Sequence, residues 1–467
     1  MKQKELTANI LNFIKDGQWD QRLGLRSGQA GIFQAMCRFF QTGEKRGYIK
    51  IPSGVGKTNL AIWLAMACAA PRILFLVPRL NLVDQTIKRF KKLWATQEIG
   101  GYFGAQNKAS APIVVATYQK MQRLQSDVNT QEFDLVIWDE VHEALSPKRQ
   151  RLFKLFNEET IHLGLTASDT YNTDKKVANI MPKIHNMELE EAIKLGILAG
   201  VQCWIARTNL DIGKIEVVKG DYDARTQARI IDIGRRNKAA VDIYQKHLAG
   251  QTCLVTTINI NHAIKVAQLF QKAGIKAEAV WGNTTENPIS PKVIKQRLDD
   301  FRSGKIQVLT TVDLIDKGFD NTLLSALINL RLTASVVKAT QRGGRVLRLF
   351  NGHDDLQAFV KKMFAQFNGK LATVVDFLDD CHNHGFRPVL FSDILKGSYK
   401  LPPAMDERAV LGIKREVNLW PTDLDIDFQV ELITDVTEVA RVTREMTSYD
   451  HLPVADPNGI VFLPVKR

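Results

Sequence analysis

Three short segments hold the residues best suited to chemistry, and the first is a glycine-rich loop. Ile51-Pro-Ser-Gly-Val-Gly-Lys-Thr58 follows an apolar run and leads into a helical pattern. Gly54 and Gly56 allow the backbone to turn its N–H groups towards phosphate oxygens, and the following helix N-terminus adds partial positive charge. Lys57 would then bridge the β- and γ-phosphates, and Thr58 would ligate Mg²⁺. The residues predicted to hold the nucleotide here are Ser53, Gly54, Val55, Gly56, Lys57 and Thr58.

The second segment is a pair of adjacent carboxylates at the end of an apolar run. Asp134-Leu-Val-Ile-Trp-Asp-Glu-Val-His142 reads as a buried strand that delivers Asp139 and Glu140 at its C-terminal end, where open α/β sheets bind ligands. Asp139 could hold Mg²⁺ through water, and Glu140 could orient and deprotonate an attacking water. An acidic pair at a strand end is often only a solvated cap. Its position some eighty residues after a Lys-Thr phosphate loop favours ATP hydrolysis instead.

The third segment, Gln341-Arg-Gly-Gly-Arg-Val-Leu-Arg348, is cationic. If it opens a helix, Arg345 and Arg348 share one helical face because they lie three residues apart. Planar guanidinium groups suit a γ-phosphate whose charge is redistributed during cleavage. The alternatives are a basic surface helix or a direct nucleic-acid contact.

Two similar lobes must position these segments. Short β-rich runs alternate with helical patterns through the first 380 residues, which predicts an α/β fold with parallel sheets covered by helices. The predicted strands are Tyr48–Ile51, Ile73–Val77, Ile113–Thr117, Leu135–Trp138 and His162–Leu165, then Cys253–Thr256, Ala277–Trp281, Val308–Thr311, Leu327–Leu330 and Val374–Phe377.

The small residues of Lys194–Gly200 suggest a connector, so we predict domains at 1–200 and 201–385. Prolines and acidic residues after Gly385 predict a small acidic accessory domain at 386–467.

Charge and composition limit the class of protein. The chain has 467 residues and a net charge of +13. Residues 1–350 carry 50 basic against 32 acidic side chains, whereas residues 351–467 carry 13 against 18. A polyanion is therefore expected on the basic part. The five cysteines show no metal-ligand spacing, and we expect no structural metal. No membrane-spanning run or signal peptide is recognisable, so a cytoplasmic location is expected.

Together the three segments resemble those of superfamily 2 helicases, over roughly residues 25–385. Leu25-Arg-Ser-Gly-Gln29 looks like the element whose glutamine reads adenine. Val77–Gln85 resembles the motif in which a Pro-Arg pair contacts one strand's backbone, Leu165-Thr-Ala-Ser168 is similar to the element linking hydrolysis to strand movement, and Thr310–Asp320 looks like a second-lobe motif. Isoleucine at position 51, where a glycine is expected, fits the looser loop of this class.

The resemblance implies two RecA-like domains in tandem, with ATP and Mg²⁺ as cofactors. It implies nucleotide contacts from Gln29, Gly318, Asp320 and Gln341, an arginine-finger role for Arg345 and Arg348, and nucleic-acid contacts near Arg79, Thr117 and Thr310.

The Asp-Glu-Val-His box looks closest to the DNA-repair and restriction-type branch, so DNA is favoured over RNA. A translocase on duplex DNA, an RNA helicase and an ATP-switched binding module stay open as alternatives. We expect a monomer, with a protein partner as one use of the C-terminal domain.

Overall fold

A computed structural model gives the fold of the chain, which divides into two compact units, Met1–Ile197 and Leu198–Arg467. The structure describes residues 3–15, 17–25, 28–123, 128–168, 176–195, 197–218, 220–282, 284–312, 321–348, 371–381, 387–395 and 430–433. Each unit is built around one large sheet.

The strands of the first unit are β1 (Arg46–Lys50), β2 (Ile73–Val77), β3 (Ile99–Phe103), β4 (Gln106–Asn107), β5 (Ile113–Thr117), β6 (Leu135–Asp139), β7 (Ile161–Thr166) and β8 (Lys183–Asn186). Its helices are α1 (Gln3–Ile14), α2 (Trp19–Leu23), α3 (Gln29–Gln41), α4 (Lys57–Cys68), α5 (Leu80–Leu93), α6 (Tyr118–Gln122), α7 (Pro147–Gln150) and α8 (Leu189–Lys194).

The strand order in this sheet is β4-β3-β5-β2-β6-β7-β1-β8, and every pairing except β3 with β4 is parallel. All five residues of β2 are buried, as expected for a central parallel strand covered on both faces. Leu74, Val136 and Trp138 contribute to the core on one face.

The strands of the second unit are β9 (Gly200–Asp211), β10 (Val217–Val218), β11 (Asp221–Tyr222), β12 (Thr252–Thr256), β13 (Ala277–Val280), β14 (Val308–Thr311), β15 (Leu324–Asn329), β16 (Leu371–Asp380) and β17 (Val430–Ile433). Its helices are α9 (Ala224–Ile231), α10 (Gly234–Ile243), α11 (Ile260–Lys272), α12 (Pro291–Arg302), α13 (Val336–Gly343) and α14 (Phe391–Ile394).

Seven of these strands form the second sheet, in the order β13-β14-β12-β15-β16-β9-β17, while β10 and β11 form a separate antiparallel pair. Among the strands that the structure describes in that sheet, β17 alone runs antiparallel, next to β9. The core on one face includes Trp204, Val255, Ile328 and Phe377.

The predicted α/β class with parallel sheets is confirmed. Each of the ten predicted strands is present, with ends that differ by up to three residues. The predicted connector at 194–200 ends where the long strand β9 begins, a strand that was not predicted. The division between units falls after Ile197.

Two described pieces of the predicted accessory domain belong to the second unit. β17 extends the second sheet, and Phe391 N donates a hydrogen bond to Asp376 Oδ2 in the middle of β16 (2.6 Å). Most of residues 386–467 lie outside the described residues. Among the helices that the structure describes, none has the length and apolarity needed to cross a membrane.

Candidate active site

The phosphate loop lies between β1 and α4, in the predicted order of strand, loop and helix. Gly54 has φ 92° and Gly56 has φ 108°, a left-handed backbone that favours glycine. Lys57 is the first residue of α4, and its Nζ donates to the Ile51 carbonyl oxygen at 3.2 Å. The lysine ammonium therefore lies over the loop that would enclose the phosphates.

Gln29 begins α3 and lies against the same loop. It is 2% exposed, and its Nε2 donates to the Val55 carbonyl oxygen at 2.5 Å. A Cβ added at Gly56 would lie 2.7 Å from this Nε2. In this structure the amide therefore supports the loop, and its contact with adenine stays a prediction.

The carboxylates lie at the same edge of the sheet as the loop. Asp139 ends β6, which is separated from β1 only by β7. Glu140 follows with φ 49° and ψ 54°, a left-handed conformation that costs a non-glycine residue energy. Such strain is retained where the surrounding structure holds it, often at active sites.

Electrostatics link the loop with the carboxylates. Burial raises the pKa of Asp139 to about 7, the neighbouring Glu140 carboxylate adds to the rise, and the Lys57 ammonium opposes it. Glu140 Oε2 is buried and accepts no hydrogen bond within the described part of the chain. The site thus holds more negative charge than its own lysine offsets.

These residues fit a bound Mg²⁺. Magnesium in nucleotide sites takes one or two carboxylates and completes its ligands with phosphate oxygens and water. Asp139 and the Thr58 hydroxyl are the side chains available for it, and an additional cation would offset the buried negative charge. No cluster of three or more His, Cys, Asp or Glu suited to a metal occurs among the described residues.

His142 belongs to the acidic segment, but the sequence predicts no role for it. Its Nδ1 lies 3.5 Å from Glu140 Oε2 and 2.9 Å from Thr166 Oγ1. The Thr166 hydroxyl donates to the Ser168 carbonyl oxygen and accepts from the Ser168 N–H at 3.1 Å. The imidazole therefore lies between the acidic pair and the Thr-Ala-Ser segment that begins at the last residue of β7.

Tyr118 was also missed. Its hydroxyl donates to the Asp139 carbonyl oxygen at 2.9 Å, and burial raises the pKa of this tyrosine well above its usual value. No local pattern marks such a residue, because the contact joins the start of α6 to the end of β6, 21 residues apart in the chain.

The helical placement of the two arginines was wrong. Helix α13 ends at Gly343, Arg345 lies in the turn after it, and Arg348 directly follows that turn. Consecutive glycines weaken the helix at this point, and a Cβ at Gly343 would lie 2.0 Å from the Phe391 ring. Gln341 is buried within α13.

The predicted nucleic-acid contacts differ in exposure. Arg79 is exposed at the start of α5. Thr117 is buried, and its side chain accepts a hydrogen bond from Lys120 N as the cap of α6. Thr310 is fully buried and its hydroxyl donates to the Ala263 carbonyl oxygen at 2.7 Å, so its side chain presents no surface to a nucleic acid. Gly318 and Asp320 lie outside the described residues.

Comparison with known families accounts for this arrangement. The family described as Type III restriction enzyme, res subunit, matches residues 22–169, and the Helicase conserved C-terminal domain matches residues 235–350. The chain belongs to the superfamily 2 helicases. The first of these matches places it in the restriction-type branch, as the acidic box predicted. ATP hydrolysis dependent on nucleic acid is the activity of this class.

Individual relatives of this helicase are distant. The putative mitochondrial ATP-dependent helicase irc3 of Schizosaccharomyces pombe is 27% identical over 354 residues, covering 71% of this chain and 56% of its own length. The DNA 3'-5' translocase XPB2 of Sulfurisphaera tokodaii is 28% identical over 390 residues, covering 74% of this chain and 84% of its own. This chain spans only 50–56% of the length of three helicase relatives.

Solved structures support the same fold. A fragment of a putative HsdR subunit of a type I restriction enzyme from Vibrio vulnificus YJ016 superimposes with a TM-score of 0.54 at 20% identity, covering 78% of this chain and 67% of that one. The likeness extends over both units, as expected for tandem RecA-like domains.

Proposed function

We propose that this chain hydrolyses ATP and uses the energy to move along or unwind DNA. The observation that carries the proposal is the phosphate loop beside the Asp139–Glu140 pair at one sheet edge, with Lys57 close enough to lower the pKa of Asp139. Parallel sheets bind nucleotides at this edge, outside the C-terminal ends of their strands.

Each side chain then has a defined task. Lys57 and the N–H groups of Ser53–Thr58 hold the phosphates, while Glu140 orients the attacking water and accepts its proton. Thr58 and Asp139 would hold Mg²⁺, which when bound offsets charge on the phosphate oxygens. His142, whose Nδ1 lies 3.5 Å from Glu140 Oε2, would help to orient this carboxylate.

The second unit would contribute to the same reaction. We assign Arg345 and Arg348 to stabilising the charge that develops on the γ-phosphate. Gln341, Gly318 and Asp320 are proposed nucleotide contacts, and Gln29 is proposed to read adenine. Loss of the γ-phosphate would then change how the units hold nucleic acid, as in other switches ordered by that group.

DNA is the proposed polymer because the relatives are named as a DNA translocase and as ATP-dependent helicases. Its phosphates would be bound by basic side chains, which are in excess in residues 1–350, with Arg79 as one contact. Such contacts carry no base information, so binding should tolerate sequence and weaken with salt. A monomer in the cytoplasm and a partner for residues 386–467 stay predictions from the sequence.

ATPase rates against single-stranded, duplex and branched DNA and RNA test the proposal. Stimulation by DNA that disappears at high salt is expected, and a flat response to every polymer would remove the motor function. Stronger stimulation by RNA would favour an RNA helicase.

The second candidate is a translocase on duplex DNA that never separates strands, favoured by the similarity to XPB2. A strand-displacement assay on forked DNA distinguishes it, since only a helicase releases the displaced strand. An ATP-switched binding module is disfavoured because it has no need of Glu140.

A further inference from the structure

One hydrogen bond joins the catalytic strand end to a neighbouring helix. The hydroxyl of Tyr118 donates to the carbonyl oxygen of Asp139 at 2.9 Å. The tyrosine is fully buried, its ring packs 6.0 Å from the Trp138 ring, and the Arg149 guanidinium lies 5.1 Å from its ring centre. The ring is therefore closely packed, and the hydroxyl meets one defined acceptor.

That acceptor belongs to the peptide bond between Asp139 and Glu140. Because a peptide unit is planar, fixing its oxygen also fixes the direction in which the chain enters Glu140. Glu140 has the left-handed backbone that a glutamate rarely adopts, so contacts around it must hold the conformation. The Tyr118 hydroxyl is one such contact.

Helix α6, which carries Tyr118, has side chains exposed to solvent. Tyr118 is the first residue of α6, directly after Thr117, whose side chain caps the helix. Gln119 and Gln122 of α6, and Arg123 directly after it, are exposed. Amide and guanidinium groups of this kind contact phosphate and sugar oxygens of nucleic acids.

We propose that Tyr118 is a positioning residue that transmits nucleic-acid binding at α6 to Glu140, through the Asp139 carbonyl. The proposal rests on the function proposed above and specifies how the polymer regulates ATP hydrolysis. A phosphate backbone bound at the exposed side chains of α6 shifts the helix start, the hydroxyl carries the Asp139–Glu140 peptide with it, and Glu140 reaches its working orientation.

Tyr118→Phe tests this link because it keeps the ring and removes only the hydroxyl. The measured quantity is the ratio of the ATPase rate with saturating single-stranded DNA to the rate without it. A fall of at least about fivefold in this ratio is expected, the size that loss of one hydrogen bond can produce. DNA affinity, measured by fluorescence anisotropy, should stay within about twofold, since no phosphate contact is removed.

Tyr244→Phe is the matched control. Tyr244 is a buried tyrosine of the second unit whose hydroxyl also donates to one backbone carbonyl, that of Gln251, at 2.8 Å. Tyr244→Phe should keep the wild-type ratio of ATPase rates with and without DNA, while its free energy of unfolding falls by about as much as that of Tyr118→Phe. An unchanged ratio in Tyr118→Phe, or a loss matched by Tyr244→Phe or by weaker DNA binding, would overturn the transmission role. If wild-type protein shows no stimulation at all, the proposed function itself fails.

Discussion

Arg236 and Asp379 form a two-point ion pair inside the second unit, with both side chains completely buried. Arg236 Nε donates to Asp379 Oδ1 at 3.0 Å and Nη2 donates to Oδ2 at 2.8 Å. Arg236 Nη1 also donates to the Leu330 carbonyl oxygen, and the Thr208 hydroxyl donates to Asp379 Oδ1. The pair thus ties α10 to strands β9 and β16 and to the residue that directly follows β15.

Removing one partner of this ion pair should lower the free energy of unfolding more than replacing both partners with apolar residues. Arg236→Met or Asp379→Leu alone leaves a buried charge without its partner, and we expect each to lower the free energy of unfolding by about 3–5 kcal/mol. The double variant should recover much of that loss, as measured by urea denaturation. A double variant that loses the sum of the single effects would contradict this.

Lys57→Ala should reduce ATP turnover by more than about a hundredfold, because it removes the ammonium that would stabilise the phosphates. Steady-state phosphate release measures it. Lys108→Ala is the control, since that lysine is 60% exposed and forms a surface pair with Glu98. Near-normal turnover in Lys57→Ala would refute the nucleotide assignment.

Arg345→Ala and Arg348→Ala should each bind ATP normally but hydrolyse it at least about a hundredfold more slowly, as expected for lost charge stabilisers. Binding of a fluorescent ATP analogue and single-turnover hydrolysis separate the two effects. Arg302→Ala is the control, since this arginine ends α12 and pairs with Asp299 of the same helix. Unchanged hydrolysis in both variants would make them ordinary structural or surface residues.

The backbone of Glu140 gives a separate test of strain. Glu140→Gly should be more stable than Glu140→Gln by about 1 kcal/mol, because glycine adopts φ 49° without steric cost. Both variants should lose hydrolysis, since neither carries a carboxylate. Thermal denaturation compares them, and a less stable glycine variant would show that the left-handed turn is unstrained.

His162 should make stability depend on pH. Its Nδ1 accepts a hydrogen bond from Trp138 Nε1 at 3.1 Å, and burial, helped by Arg46, lowers its pKa from 6.5 to about 3. His162 therefore takes up a proton below about pH 6.5 in the unfolded chain but stays neutral in the folded chain down to about pH 3. Acidification below pH 6.5 thus favours unfolding. Between pH 7 and pH 5 the free energy of unfolding should fall by about 2 kcal/mol more in the wild type than in His162→Gln. The glutamine keeps an acceptor for the Trp138 N–H. If urea denaturation gives the same pH dependence of the free energy of unfolding for both proteins, His162 takes up its proton in the folded chain as well.

The sequence was informative where chemistry is local. The loop around Lys57, the strand ending at Asp139 and the central strands could be recognised because glycine spacing, carboxylates and continuous apolar runs each have a direct physical cause. Strand β9 was missed because it begins inside a segment with the glycines of a connector.

Other features depended on distant contacts. Helix α13 ends at Gly343, a position where the Phe391 ring, nearly fifty residues later, packs against the chain. The left-handed turn at Glu140 and its neighbours Tyr118 and His142 likewise become visible only when separate strand ends are placed side by side.

The close approach of Phe391 to Gly343 sets a limit on where this protein can be shortened. A chain ending at 385, the edge of the predicted second domain, would lose the ring that covers the last turn of α13, directly before Arg345. It would also lose the Phe391 N–H that the buried Asp376 carboxylate accepts, while burial already raises the pKa of that carboxyl to about 6. A fragment that retains the arginine segment in its folded surroundings must therefore include α14, which begins with Phe391.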